Sequence, residues 1–291
     1  MESHLSFEAA LGACARHTDA FLDRLLPPAS LGRLGEAMRY AALGQGKRLR
    51  PFLVVESAKL CGVPAARALR VGAALECVHC YSLAHDDLPA MDDDDMRRGR
   101  PALHKAFDEA TAILAGDALL TLAFEILADP ATHPDGAVRS RLIAGLAKAA
   151  GHAGMAGGQM LDMAADAMDA AAIVRMQAMK TGALFRFACE AGAILGGREP
   201  GPFRQYADSF GPAFQIADDI LDVTSSPERL GKGTQKDKDK GKATLVALLG
   251  LPEAKAKAAA LVDQAVAALS GFGAQADTLR AAARYIVARK A

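Results

Sequence analysis

Apolar residues recur at three- and four-residue spacing through almost the whole chain, and this constrains the fold more than any single motif. The pattern runs through segments 5–25, 31–43, 51–61, 66–88, 103–128, 136–164, 170–195, 203–224, 253–269 and 274–289, each of which reads as a helix with a buried face. Strand-type alternation is absent. Hydrophobic residues make up 51% of the chain but aromatics only 5%, so Ala and Leu carry the core rather than the aromatic and β-branched residues that fill sheets. The interruptions at Pro27–Pro28, Gly44–Gly46, Gly62–Pro64, Asp129–Gly136, Gly196–Pro202 and the lysine-rich stretch 228–242 are too short to separate domains. The chain therefore reads as all-α, with residues 1–291 as one domain.

Charge and cysteine usage narrow the class further. With 34 basic and 34 acidic residues the chain lacks the basic excess of a nucleic-acid binder. Its five cysteines are odd in number and scattered, which argues against a disulfide framework and for a reducing compartment. The first residues, MESHLSFEAALGACARHTDAF, lack the basic start of a signal peptide, and no uninterrupted apolar run approaches about 18 residues. A soluble cytoplasmic protein without a membrane span is expected.

Chemistry concentrates in two acidic clusters. Six aspartates fall between Asp86 and Asp95, and Pro89 ends the preceding helix near Leu88, which places Asp86 and Asp87 at the negative end of its dipole. Like charges packed there need a cation. Carboxylate oxygens suit a hard ion such as Mg²⁺, whose remaining coordination positions are filled by water and substrate phosphates. In the second cluster, Gln215 to Asp222, Asp218 and Asp222 share one face of an apolar helix with Gln215 one turn earlier. Carboxylates among apolar neighbours are costly unless compensated, so the two clusters are expected to face each other across metal ions.

Basic groups surround them in the sequence. Lys47, Arg48 and Arg50 open a helix, where backbone N–H groups and the dipole favour anions. Arg97 and Arg98 follow the first acidic cluster directly, Lys180 and Thr181 interrupt an apolar helix, and Lys232, Lys236 and Lys242 lie in the stretch 228–242. Jointly they describe two cationic pockets flanking a metal cluster, which fits two diphosphate substrates. His85–Asp86 also has the form of a phosphohydrolase metal pair, but the other histidines lack the spacing that scaffold needs.

The motifs Gly46-Lys-Arg-Leu-Arg-Pro51, Asp86-Asp-Leu-Pro-Ala-Met-Asp92, Arg97-Arg-Gly-Arg-Pro101, Lys180-Thr-Gly182 and Phe214-Gln-Ile-Ala-Asp-Asp-Ile-Leu-Asp222 together resemble those of trans-prenyltransferases, most of all the bacterial farnesyl diphosphate synthases. The resemblance implies a single bundle of long helices around a deep central cavity, the isoprenoid synthase fold, usually as a homodimer. It implies that Asp86, Asp92 and Asp218 ligate three Mg²⁺ ions, with Mn²⁺ able to substitute, and that Asp87, Asp219 and Asp222 support them. Arg97, Lys180 and Lys232 would grip an allylic diphosphate, while Lys47, Arg50, His79 and Arg98 would hold isopentenyl diphosphate. Thr181 and Gln215 match positions whose oxygens face a developing carbocation. Gln45, Gln235 and Leu245 depart from the family pattern.

The implied reaction is head-to-tail condensation of isopentenyl diphosphate with dimethylallyl or geranyl diphosphate. Tyr81 lies five residues, about 7.5 Å along a helix, before Asp86, where its ring would close the product cavity at fifteen carbons. The alternatives are a twenty-carbon geranylgeranyl diphosphate synthase and, further off, a terpene cyclase, whose second metal motif differs from Asp218-Asp219-x-x-Asp222.

Overall fold

The computed structural model describes residues 2–44, 46–164, 168–224 and 244–289, with side chains from Phe7 onward. Lys232, Lys236, Lys242, Gln45 and Gln235 lie outside the described residues. In chain order the helices are α1 (Glu2–Leu25), α2 (Arg33–Ala42), α3 (Leu49–Leu60), α4 (Ala65–Asp86), α5 (Leu103–Ala106), α6 (Glu109–Ala128), α7 (Gly136–Ala150), α8 (Met155–Met163), α9 (Ala170–Gln177), α10 (Ala183–Gly196), α11 (Gly201–Thr224), α12 (Leu245–Leu249), α13 (Leu251–Ala268) and α14 (Asp277–Ala288). The all-α expectation holds, with one exception among the described residues: Met96–Arg97 (β1) pairs antiparallel with Arg100–Pro101 (β2). Two residues per strand are too few to leave an alternation in the sequence.

α4 lies among α3, α6 and α10, and α11 packs along α13 and α10. The α4 stretch Val71 to Val78 is wholly buried, and its Gly72-Ala73-Ala74 run lets neighbouring helices approach closely. The aromatic residues Phe52, Phe185, Phe203, Tyr206 and Phe210 fill the remaining space. A smaller apolar cluster joins Ile173 and Ile216 to Leu245, Val246, Ala254 and Ala258.

Three helical segments differ from the sequence expectation. The segment 103–128 divides at Phe107–Asp108, where Asp108 accepts from Thr111 N at 2.7 Å and restarts the helix as the α6 N-cap. The segment 136–164 divides at Gly151–Gly154. The segment 170–195 contains a π turn, Ala178–Gly182, between α9 and α10. The buried Leu245, one of the departures from the family pattern, begins α12, a helix that the periodicity did not indicate. α6 is long and apolar enough to cross a membrane by length and composition alone. One face of it packs into the protein, burying Ala112, Ala115, Leu119, Ala123, Ile126 and Leu127 against α4 and α2.

Candidate functional site

The first aspartate cluster wraps around the C-terminus of α4. Asp86 is its last residue, and the Asp87 carboxylate turns inward, 2% exposed, onto Arg97 of β1. The Arg97 Nε donates to both Asp87 oxygens at 3.0 and 3.2 Å, and Nη2 donates to Oδ1 as well. Arg98 and Gly99, which join the two strands, both have positive φ, 53° and 75°, as a two-residue primed hairpin turn requires. Asp92 N donates to Asp86 O at 2.8 Å, and Asp94 N to Asp87 O at 3.2 Å. Burial raises the Asp86 carboxyl to about 6; Lys180 opposes the rise and the neighbouring Asp92 adds to it. A carboxylate crowded and desolvated in this way is compensated best by a cation.

The second cluster is positioned by the π turn. Asp219, 4% exposed, accepts from Gln215 Nε2 at 3.0 Å and Gln177 Nε2 at 3.3 Å, and Thr181 Oγ1 donates to Gln215 Oε1 at 3.1 Å. The extra residue of the π turn brings Lys180 and Thr181 toward α11 and the Asp86 cavity together. Lys180 is ion-paired with Asp162 of α8 at 2.6 Å. Gly158 permits this crossing, since a side chain there would collide with the Lys180 backbone. Asp218 pairs with Arg289, which follows α14 and stacks over Phe214 at 4.4 Å.

A cationic pocket of about 140 Å³ is lined by Lys47, Arg50, His79, Arg98 and Arg289 together with Tyr285. Arg50 stacks over Phe185 at 4.6 Å, approaches His79 Nε2 with Nη1 at 3.3 Å, and buries its Nε without a partner. Burial, then Arg50 and Arg98, push the His79 pKa well below its ordinary value. Its imidazole is therefore neutral, and Nε2 accepts, because a guanidinium can only donate. Lys47 rests against Tyr285, 5.7 Å from the ring centre. Glu76, which also lines this pocket, is held by the buried Arg48 at 2.7 Å. Net positive charge in a small, partly dry cleft is a site for a polyanion.

Arg50 and His79 also line a second cavity, of about 410 Å³, together with Tyr81, Asp86, Lys180 and Thr181. Its walls are mainly apolar, with Met91, Met155, Met160 and Met163 among the lining residues. The Tyr81 ring meets His85 edge-on at 5.7 Å. Of the residues expected from the sequence, the structure thus gathers Lys47, Arg50, His79 and Arg98 around one pocket, and Tyr81, Asp86, Lys180 and Thr181 around the adjoining one. Asp92 lies on the loop beside Asp86, and Gln215 and Asp218 line up on α11 within reach of Thr181 and Arg289. The Arg97 guanidinium is ion-paired with Asp87 and, at 3.6 Å, with Asp94.

Sequence reasoning missed Asp162, Arg289 and a group formed by Asp93, Asp95 and His104. Asp162 carried a signal, as a lone acid on the apolar α8 pattern.

Comparison with known proteins agrees with this geometry. The Polyprenyl synthetase family profile matches residues 32–284. Farnesyl diphosphate synthase of Escherichia coli (strain K12) is 46% identical, over 98% of this chain and 99% of its own. Geranylgeranyl pyrophosphate synthase 7, chloroplastic, of Arabidopsis thaliana is 39% identical, over 100% of this chain and 86% of its own. The apo crystal structure of an FPP/GFPP synthase from Zymomonas mobilis superposes with a TM-score of 0.88 at 48% identity, covering 98% of this chain and 99% of that one.

Proposed function

The chain belongs to the polyprenyl synthetase family and is a prenyltransferase, and on that premise we propose that it makes the fifteen-carbon product farnesyl diphosphate. The substrates would be isopentenyl diphosphate and, in two successive rounds, dimethylallyl and geranyl diphosphate. The observation that carries this reading is the adjacency of the two cavities. A cationic pocket built by Lys47, Arg50, His79 and Arg98 shares Arg50 and His79 with a mainly apolar cavity lined also by Tyr81 and Asp86.

The donors at Asp86, Asp92 and Asp218 are all carboxylate oxygens, and the crowding that raises Asp86 to about 6 fits a hard divalent cation. These three residues would hold Mg²⁺, in three ions, with Mn²⁺ as a substitute. The metal supplies electrostatic stabilisation of the charge that grows on a departing diphosphate. Lys180 adds a positive charge on the same side, and Lys232, outside the described residues, is proposed to join it.

Reaction starts as the allylic C1–O bond breaks and diphosphate leaves with the electron pair. Lys47, Arg50, His79 and Arg98 hold the second diphosphate so that its double bond attacks C1. The Thr181 and Gln215 oxygens face the developing cation, and the methionine walls exclude water that would quench it. The proton lost when the new double bond forms goes to the departed diphosphate. Arg97, through Asp87, positions the loop that carries Asp92 and is proposed to reach the allylic diphosphate as well.

Residues 1–291 are read as one catalytic domain acting as a homodimer, with Ile113 and Leu114 of α6, 43% and 57% exposed, as part of the contact. The free, buried cysteines fit a cytoplasmic setting. The test is incubation with Mg²⁺, dimethylallyl diphosphate and radiolabelled isopentenyl diphosphate, followed by phosphatase treatment and chromatography. Labelled farnesol, abolished by EDTA, is expected. Geranylgeraniol as the main product would overturn the chain length, and turnover in EDTA would overturn the metal role.

A further inference from the structure

At the end of the first aspartate cluster, but using none of the residues assigned above to the reaction, Asp93, Asp95 and His104 bring one ligand atom each to within 4.8 Å of one another. The carboxylates are exposed, whereas His104 is only 7% exposed, and neither of its ring nitrogens has a hydrogen-bond partner. A buried imidazole always carries at least one N–H, and leaving both nitrogens unbonded costs free energy. One nitrogen lies beside two carboxylates, which gives that cost an explanation.

We propose that Asp93, Asp95 and His104 form a separate binding site for a transition-series divalent cation such as Zn²⁺. The mixed imidazole and carboxylate set selects Zn²⁺, Co²⁺ or Mn²⁺ over Mg²⁺, which prefers oxygen alone. Tetrahedral ligands about 2.1 Å from zinc stand about 3.4 Å apart, so exposed aspartate side chains need only a small rotation to close on the ion. The backbone is already tied for this, because Ala102 N donates to Asp95 O at 2.8 Å and so joins the loop to the start of α5. Lys105 Nζ pairs with Asp95 Oδ1 at 2.9 Å, and a carboxylate has a second oxygen with which to meet a metal. A water completes the shell. The bound ion would tether the aspartate loop to α5, independently of diphosphate and of the reaction proposed above.

The test is titration of the metal-free full-length protein with Co²⁺ in the absence of any diphosphate, read by visible d–d absorption. One Co²⁺ is expected, with no thiolate charge-transfer band, displaced by Zn²⁺ but not by comparable Mg²⁺. His104→Gln and Asp95→Asn should each weaken binding by more than ~10-fold, and Asp218→Ala should leave it unchanged. Asp95 is exposed, so Asp95→Asn decides the matter if His104→Gln fails to fold. Unaltered Co²⁺ binding in Asp95→Asn, loss of binding in Asp218→Ala, or no Co²⁺ uptake would each overturn the proposal. None of these outcomes bears on product formation, which the radiolabel assay reads separately.

Discussion

Replacing Arg48 with Met tests whether a buried ion pair builds the cationic pocket. Arg48 has a left-handed backbone, φ 50°, immediately before α3, and its side chain is sealed inside. Nη1 donates to Glu76 at 2.7 Å, and Nη2 donates to the Ala42 and Gly44 carbonyls at 2.7 and 2.9 Å. Burial works against the charge, yet Glu76 beside it holds the guanidinium above its ordinary range. Glu76 is only 2% exposed, so Arg48→Met leaves a buried carboxylate unpaired, at a cost of about 3–5 kcal/mol. The two orphaned carbonyls act in the same direction. Against a total stability of roughly 5–15 kcal/mol this approaches unfolding. Arg48→Met/Glu76→Met removes both charges and should be more stable than the single variant by at least ~1.5 kcal/mol. Urea unfolding followed by circular dichroism measures both, and KM for isopentenyl diphosphate should rise in the folded single variant because Lys47 and Arg50 flank the loosened turn. A loss below about 1 kcal/mol in Arg48→Met, or a double variant no better than the single, would refute the reasoning.

Tyr81→Ala should open the floor of the apolar cavity. Five more buried carbons are worth about 4 kcal/mol at ~0.8 per CH₂, and even a third of that shifts the product ratio toward C20 about tenfold; an unchanged C15 profile from the active variant would place the stop elsewhere. Neutral variants of Lys47, Arg50 and Arg98 should each raise KM for isopentenyl diphosphate, by roughly 1.5–3 kcal/mol per lost charge-assisted contact, and an effect confined to the allylic KM would reverse the pocket assignment. With its carboxyl raised to about 6, Asp86 binds a proton more tightly folded than unfolded. Without metal, its stabilising contribution is full below about pH 4 and is lost as pH rises through 6. Urea midpoints at pH 5 and pH 7.5 should therefore diverge more in wild type than in Asp86→Asn, and equal divergence would refute the shift.

The helical architecture was legible because buried faces impose their 3.6-residue period on an Ala- and Leu-rich sequence. The subdivisions were less so. Ala and Leu continue on both sides of Phe107–Asp108 and Gly151–Gly154, so the period carries through a break that only capping and glycine geometry reveal. The acidic clusters and the Lys47–Arg50 segment stood out because charge in an apolar pattern is costly. Arg289 was hidden, since a cation at the end of a terminal helix looks solvated until the fold brings it to Asp218. Arg97 illustrates a further limit: its charge was visible, but its engagement with Asp87 depends on a hairpin whose two-residue strands leave no periodic trace.

The π turn at Ala178–Gly182 works as a phase shifter between two otherwise regular helices. One surplus residue offsets everything before it from everything after it by about 100°. Ile173 and Met176 of α9 can thus stay packed inside while Lys180 and Thr181 are dialled toward the Asp86 cavity. Deleting Ala178 would leave a better hydrogen-bonded, more ordinary helix, and it would force a choice between the apolar contacts upstream and the reactive side chains downstream. A change that simplifies the backbone there would uncouple Thr181 from Gln215 and Asp219 without touching any of the three.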